Sequence, residues 1–138
     1  MARHPERTLL VIKPDAIKNL HIGEIISRVE KAGFLITGVL MRRLRPAEAE
    51  EFYAIHRGKD FFPGLVQFIT SGPVVAVLIE GDNCPQRLRQ FVGATDPGKA
   101  KPGTIRADFG TSVQMNAVHA SNPDENVNRE ISFFFPDV

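Results

Sequence analysis

Apolar and polar positions along this chain follow two rhythms in turn. Thr8-Leu9-Leu10-Val11-Ile12 is an uninterrupted apolar run and predicts a buried strand. Ile22, Ile25, Ile26 and Val29 fall on one helical face and Gly33 follows as a stop, predicting an amphipathic helix over roughly 22–32. Phe34 to Leu44 is β-branched and apolar enough for a second strand. Pro46 suits a first helical turn and opens a helix carrying Ala49, Phe52, Tyr53 and Ile55. Asp60 can cap a further helix from Phe61 to Ser71, closed by Gly72-Pro73. Val74 to Glu80 is the clearest buried strand, and Pro85 opens a short helix with Leu88, Phe91 and Val92 that ends at Gly93. Ala94 to Met115 shows little periodicity, and an aperiodic stretch of about 20 residues in a compact domain is usually functional. Asn116 to His119 reads as a last short strand. Asn122-Pro123-Asp124-Glu125 then supplies a cap, a proline and two acids to start a helix whose buried face is Val127, Ile131, Phe134 and Phe135. The succession is an α/β alternation, and the pattern alone leaves the strand order open.

Composition narrows the class. With 138 residues, 43% hydrophobic and 24% charged, the chain fits one globular domain spanning 1–138. Seventeen Lys+Arg against sixteen Asp+Glu leave a net charge of +1, which argues against a protein built to grip nucleic acid or an anionic membrane. Cys84 is the single cysteine, so there is no intramolecular disulfide framework and no thiolate-rich metal site. The charged start, Met1 to Arg7, does not read as a secretory signal, and the longest apolar run, Val74 to Ile79, is far short of a membrane span. A cytoplasmic protein is the expectation.

The chemistry-bearing motifs are few. Gly93-Ala94-Thr95-Asp96-Pro97-Gly98-Lys99-Ala100 approaches a P-loop, but alanine replaces the Mg²⁺-binding hydroxyl, Pro97 removes a backbone donor, and a helix precedes it where a strand is required. It reads as a Gly/Pro surface loop that is free to touch phosphates in another way. No pair of histidines has metal-ligand spacing, and no G-x-S-x-G or G-x-G-x-x-G is present. His119 ends an apolar segment just before a well-capped helix, a place that suits phosphate and allows a nucleophile or general base, or simply a structural histidine. His4, His21 and His56 take the structural reading. Lys13 ends the first strand, where it either reaches into a cleft or snorkels at the sheet rim. Arg89 and Arg106 have the side chain preferred for phosphate oxygens. Arg42, Arg43 and Arg45 read as a solvated strand end. Phe61 and Phe62 cannot both face one core stripe, so either one stacks on a base or each packs in its own environment.

Taken together, these residues resemble the nucleoside diphosphate kinase family. Asn116-Ala117-Val118-His119-Ala120-Ser121 resembles that family's signature N-x-x-H-[GA]-S. Ile12-Lys13-Pro14-Asp15, Phe61 to Val66, Ser71 to Val75, Gly93 to Pro97 and Lys101 to Arg106 stand around it in the family's order and spacing, covering essentially the whole chain. The resemblance implies a ferredoxin-like βαββαβ fold, an α/β (α+β) architecture with a four-stranded antiparallel sheet covered by helices. It implies transfer of the γ-phosphoryl of ATP or another nucleoside triphosphate to a nucleoside diphosphate by a ping-pong route.

By the same resemblance His119 is the nucleophile, Glu130 the acid that orients its ring, and Ser121 a hydroxyl supporting that acid. Lys13 and Tyr53 lie near the transferred phosphoryl, with Lys13 also reaching the ribose. Arg89, Thr95 and Arg106 are phosphate ligands, and Asn116 is a ribose contact. Phe61 and Val113 sandwich the base with Leu65 nearby, which implies broad base tolerance because every base has a π-face. Mg²⁺ arrives with the nucleotide rather than in a protein cage. Asn122 departs from the acid common after the signature serine, and the end at Val138 resembles the shorter bacterial-type members. Family members are tetramers or hexamers, so a homo-oligomer is implied without its size. Two rivals are weaker. A nucleic-acid-binding module lacks net positive charge and an RNP-like aromatic strand, and a catalytically dead partner would not keep this residue set intact.

Overall fold

β1 (Arg7–Ile12) and β3 (Val74–Glu80) pair antiparallel at the centre of a four-stranded sheet, with β2 (Leu35–Arg42) outside β3 and β4 (Val118–Ala120) outside β1. The structure, a computed structural model, describes residues 6–124 and 127–138. The order β2-β3-β1-β4, antiparallel throughout, is the ferredoxin-like arrangement. The first turn after β1 is α1 (Pro14–Lys18), followed by α2 (Ile22–Lys31). After β2 come α3 (Pro46–Phe52), a 3₁₀ turn at Ala54–His56 and α4 (Phe62–Ile69). α5 (Cys84–Val92) follows β3, α6 (Ile105–Phe109) precedes β4, and α7 (Val127–Phe134) closes the chain.

The two central strands are buried on both faces, which is why they read as continuous apolar runs rather than alternating ones. Leu10, Ile12, Val75, Val77 and Ile79 face α2 and α5 through Ile25, Val29, Leu88 and Val92. Leu9, Val11, Val74, Ala76 and Leu78 face the other way, onto Phe52, Ile69, Ile131 and Phe134. Truncating a side chain as buried as Ile131 to alanine costs ~2–5 kcal/mol. β2 is an edge strand with every second residue exposed, and Leu35, Val39 and Met41 stand on the surface. A bulge between Ile36 and Gly38 shifts its register; a Cβ on Gly38 would lie 3.1 Å from the Phe135 ring. Among the described residues no helix is long and apolar enough to cross a membrane.

Several local expectations are corrected. α1 was not legible: five residues are too few to show a helical period. The helix opened by Pro46 stops at Phe52, so Ile55 lies in the 3₁₀ turn and is exposed. Phe61, and not Asp60, holds the N-cap place of α4, without a side-chain bond. The second strand runs only over Leu35–Arg42. The last strand begins two residues late, at Val118, because Ala117 adopts a left-handed φ of 75° that breaks the extended run. Arg43 and Arg45 are exposed as the arginine run suggested, but Arg42 is only partly so: its guanidinium lies over Phe133, 5.0 Å from the ring centroid, and pairs with Glu48. The stretch from Ala94 to Met115 contains a 3₁₀ turn at Pro97–Lys99 and α6, both too short to show periodicity. His4, and Glu125 in the anticipated start of the last helix, lie outside the described residues.

Candidate active site

Strand alternation decides where His119 points. In β4 it pairs with Val11, so it shares the face covered by α3 and α7, while Val118 and Ala120 face α2 and α5. Phe52 meets the imidazole edge-on at 5.4 Å, and Tyr53 does so at 5.9 Å. On α7, Val127, Glu130, Ile131 and Phe134 fall at i, i+3, i+4 and i+7 and share one face, so docking the apolar residues carries Glu130 to the ring. His119 Nε2 lies 2.8 Å from Glu130 Oε1, and Ser121 Oγ donates to the same oxygen. Burial alone would raise the Glu130 carboxyl, but the bonds from His119 and Ser121 and the nearby Arg129 charge hold it below its ordinary value. An ionised carboxylate only accepts, so Nε2 is the ring nitrogen that carries the proton facing Glu130, and Nδ1 faces away from it.

Lys13 stands where β1 turns into α1. Its Nζ donates to Asn116 Oδ1 at 2.8 Å, and its backbone N–H bonds the Ala117 carbonyl at 2.8 Å. Burial, with the Arg106 charge adding to it and Asp15 opposing it, brings the Lys13 ammonium down to about 8. Asp15 is not aimed at the cleft: its Oδ2 accepts from the Ala117 N–H at 3.0 Å, and burial raises its carboxyl. Asn116 Nδ2 donates to the Thr95 carbonyl at 2.9 Å, which ties the Gly93–Pro97 loop to the signature segment.

Arg106 is buried and bonds the carbonyls of Gly93 (3.0 Å) and Val118 (2.9 Å), while Arg89 bonds that of Ala120 (3.0 Å). Burial and the neighbouring Arg89 charge bring Arg106 down to about 10, with Tyr53 acting the other way. Two buried donors, Arg106 Nε and the Tyr53 hydroxyl, find no hydrogen-bond partner among the described residues. Burial, chiefly, pushes the Tyr53 phenol upward, so it stays a neutral donor.

These groups line one cleft of about 630 Å³. Lys13, Tyr53, Arg89, Thr95, Arg106, Asn116 and His119 form its polar end; Phe61, Leu65 and Val113 form its apolar end. Phe61 is 52% and Val113 57% exposed, while Phe62, the first residue of α4, is partly buried against the core, so the two phenylalanines take different environments. Glu130 and Ser121 stand behind His119, outside the cleft's lining. His56, whose place in the sequence suggests a structural histidine, also lines the cleft, as do Gln114 and Asn122. The usable signal for His56 was its place three residues after Tyr53, which helical spacing brings to the same side. Among the described residues no cluster of three or more His, Cys, Asp or Glu side chains could hold a metal ion.

An antiparallel ferredoxin-like sheet presenting a carboxylate-oriented histidine in a cleft of cations and exposed aromatic surface defines a nucleotide phosphotransferase. Residues 6–138 match the family described as nucleoside diphosphate kinase, and the chain belongs to that family. It is 53% identical over 130 residues to nucleoside diphosphate kinase 2 of Protochlamydia amoebophila, covering 94% of this chain and 91% of that one. Among solved structures, the Halobacterium salinarum nucleoside diphosphate kinase in complex with CDP superposes with a TM-score of 0.94 at 43% identity, over 97% of this chain and 90% of that one. The Aquifex aeolicus enzyme gives 0.90 at 44% identity, over 94% of each.

Proposed function

We propose that this protein moves the γ-phosphoryl of a nucleoside triphosphate onto a nucleoside diphosphate in two half-reactions through a phosphohistidine on His119. The observation that carries the reading is the 2.8 Å contact between His119 Nε2 and Glu130 Oε1. It holds the ring in the tautomer whose Nδ1 is nucleophilic and offsets the charge the ring acquires. Nδ1 attacks the γ-phosphorus, the bond to the β-bridging oxygen breaks, and the diphosphate leaves with that oxygen and its electron pair. A second diphosphate then attacks the phosphohistidine, and Nδ1 recovers its lone pair.

The rest of the cleft positions and neutralises. Lys13 and Tyr53 act at the transferred phosphoryl, and Arg89, Thr95 and Arg106 at the phosphates behind it. Asn116 and Lys13 hold the ribose. The unpartnered donors of Tyr53 and Arg106 support this placement, since a buried donor without an acceptor costs ~1–3 kcal/mol and phosphate oxygens supply acceptors. Phe61, Leu65 and Val113 offer apolar surface with little base-edge chemistry, which supports broad base tolerance. Magnesium enters as part of the nucleotide complex: the cleft's charged side chains are cations, and Asn122 is neutral.

A homo-oligomer, tetramer or hexamer, belongs to the same reading, and the exposed apolar edge strand β2 supports a self-contact there. Sedimentation of the protein and of Met41→Glu tests it. The near-balanced charge and the helices on both sheet faces favour a single-domain cytoplasmic enzyme over a nucleic-acid binder.

The deciding experiment is intact mass after mixing with Mg·ATP and no acceptor. The expected result is one added phosphoryl group, acid-labile and discharged by any nucleoside diphosphate, and absent in His119→Ala. Normal turnover by His119→Ala would overturn the mechanism.

A further inference from the structure

A second pocket of about 640 Å³ adjoins the cleft, and its residues beyond the shared ones have no part in the transfer between nucleotides. Its wall on the cleft side is Arg89, Thr95 and Arg106, which line both spaces. Its far side carries Lys99 and Lys101. Among the described residues no aromatic side chain and no carboxylate lines it, in contrast to the cleft, which Phe61 lines. The pocket therefore offers cationic surface without any platform for a base.

The loop that bears these lysines is braced. Asp96 accepts from the Gly98 N–H at 2.9 Å at the start of the 3₁₀ turn that ends in Lys99. Thr104 Oγ1 donates to the Lys101 carbonyl at 2.7 Å and accepts from the Ala107 N–H. Gly93 has φ +92°, and a Cβ there would lie 2.6 Å from Thr104 Oγ1, so only glycine allows the two loops to approach this closely. This is the loop that imitates a P-loop in sequence but lacks its geometry.

Resting on the phosphohistidine reading, we propose that the pocket is a branch of the phosphate path that admits inorganic polyphosphate as an alternative phosphoryl donor. The terminal phosphate sits at His119 and the next ones on Arg89, Thr95 and Arg106. The remaining chain turns toward Lys99 and Lys101, whereas a nucleotide turns toward Phe61. His119 Nδ1 attacks the terminal phosphorus, and the terminal anhydride bond breaks. The polyphosphate, one unit shorter, leaves with the bridging oxygen and its electron pair. The phosphohistidine then passes its phosphoryl to a nucleoside diphosphate. Cationic side chains with no base contact are the chemistry such a chain requires.

The test uses the full-length protein with long-chain polyphosphate and Mg²⁺, read by acid-labile mass gain and by triphosphate formed from an added diphosphate. Mg·ATP is the parallel donor, and tripolyphosphate is the short-chain control. Charging by long polyphosphate is expected, with Lys99→Ala/Lys101→Ala lowering its kcat/KM about tenfold, as for loss of two charge-assisted contacts. ATP-driven rates stay unchanged, and Lys99→Arg/Lys101→Arg restores polyphosphate use. Charging by ATP but not by polyphosphate, with no competition between them, overturns this inference and leaves the main reading intact. Equal loss of both donors' rates in the double alanine variant also overturns it. Failure of ATP itself to charge His119 removes the phosphohistidine reading, and this inference with it.

Discussion

Glu130 Oε1 receives both the His119 ring and the Ser121 hydroxyl, joining residues 11 and 9 positions apart across the junction of β4 and α7. One carboxylate oxygen therefore fixes both the tautomer and the tilt of the imidazole. Glu130→Gln keeps the shape and removes the charge. Phosphorylation of His119 should slow on the order of 10²-fold in single turnover, as when an orienting acid is neutralised, with nucleotide affinity unchanged. A fall in affinity with an unchanged chemical step would refute the role. The same residue gives an acid signature. Its folded carboxyl lies below the ordinary value, so its stabilisation is complete above the unfolded range near 4.3 and disappears as pH falls through the folded value. The loss of stability between neutral and acid pH should be smaller in Glu130→Gln, measured by urea unfolding.

Lys13 titrates from the other side. Its ammonium is brought down to about 8, so below that pH the folded protein carries the full cost of a buried charge, and this cost fades as pH rises from about 8 toward the ordinary 10.5. Phosphate oxygens beside Lys13 favour the charged form and raise it again. Nucleotide binding at about pH 8.5 should therefore take up protons, seen calorimetrically as a heat that depends on the buffer's ionisation enthalpy. KM should rise on going to more alkaline pH. Equal heats in all buffers would count against Lys13 as a phosphate or ribose contact.

Ala117 is a buried non-glycine residue held at φ +75°, clamped by the Asp15 carboxylate on its N–H and the Lys13 N–H on its carbonyl. The left-handed conformation costs an L-residue ~1–2 kcal/mol. Ala117→Gly removes that cost and adds unfolded-chain entropy, for a net gain of about 0.5–1 kcal/mol in urea unfolding. Ala117→Val should be destabilising. A less stable glycine variant would mean that the clamp, rather than the methyl group, sets the backbone.

At the cleft mouth, Lys59 Nζ lies 5.7 Å from the centre of the Phe61 ring and 3.2 Å from His56 Nδ1, and the His56 ring stands 5.3 Å from Phe61. Phe61 is thus braced on one side by polar neighbours. On the proposed base stacking, Phe61→Ala should remove ~1–3 kcal/mol of contact, so KM should rise by a similar factor for purine and pyrimidine nucleotides while kcat holds. Lys59→Ala should give a smaller rise in the same direction. A base-selective effect would show hydrogen-bond readout at this end instead.

Much of this was legible along the chain, for identifiable reasons. β3 is legible because its two covered faces make Val74 to Ile79 a single apolar run that Glu80 closes. α2 was visible because its buried positions keep the helical period and Gly33 follows it in a left-handed turn. α1 was invisible because one short turn shows no period. His56 was passed over because its proximity to Phe61 arises in an irregular turn that periodicity does not describe.

The sequence alone determined the longer strands and helices, the histidine of the Asn116–Ser121 segment and the cations scattered along the chain, because these depend on local pattern and side-chain chemistry. The tertiary structure decided the strand order, the meeting of His119 with Glu130, the convergence of Lys13, Arg89 and Arg106 on one cleft, and the second basic pocket adjoining it. Those relations depend on which face each strand residue takes and how helices dock onto it. They include contacts between residues more than 100 positions apart, such as Lys13 and Asn116 at a separation of 103, and only packing of the whole sheet brings such pairs together.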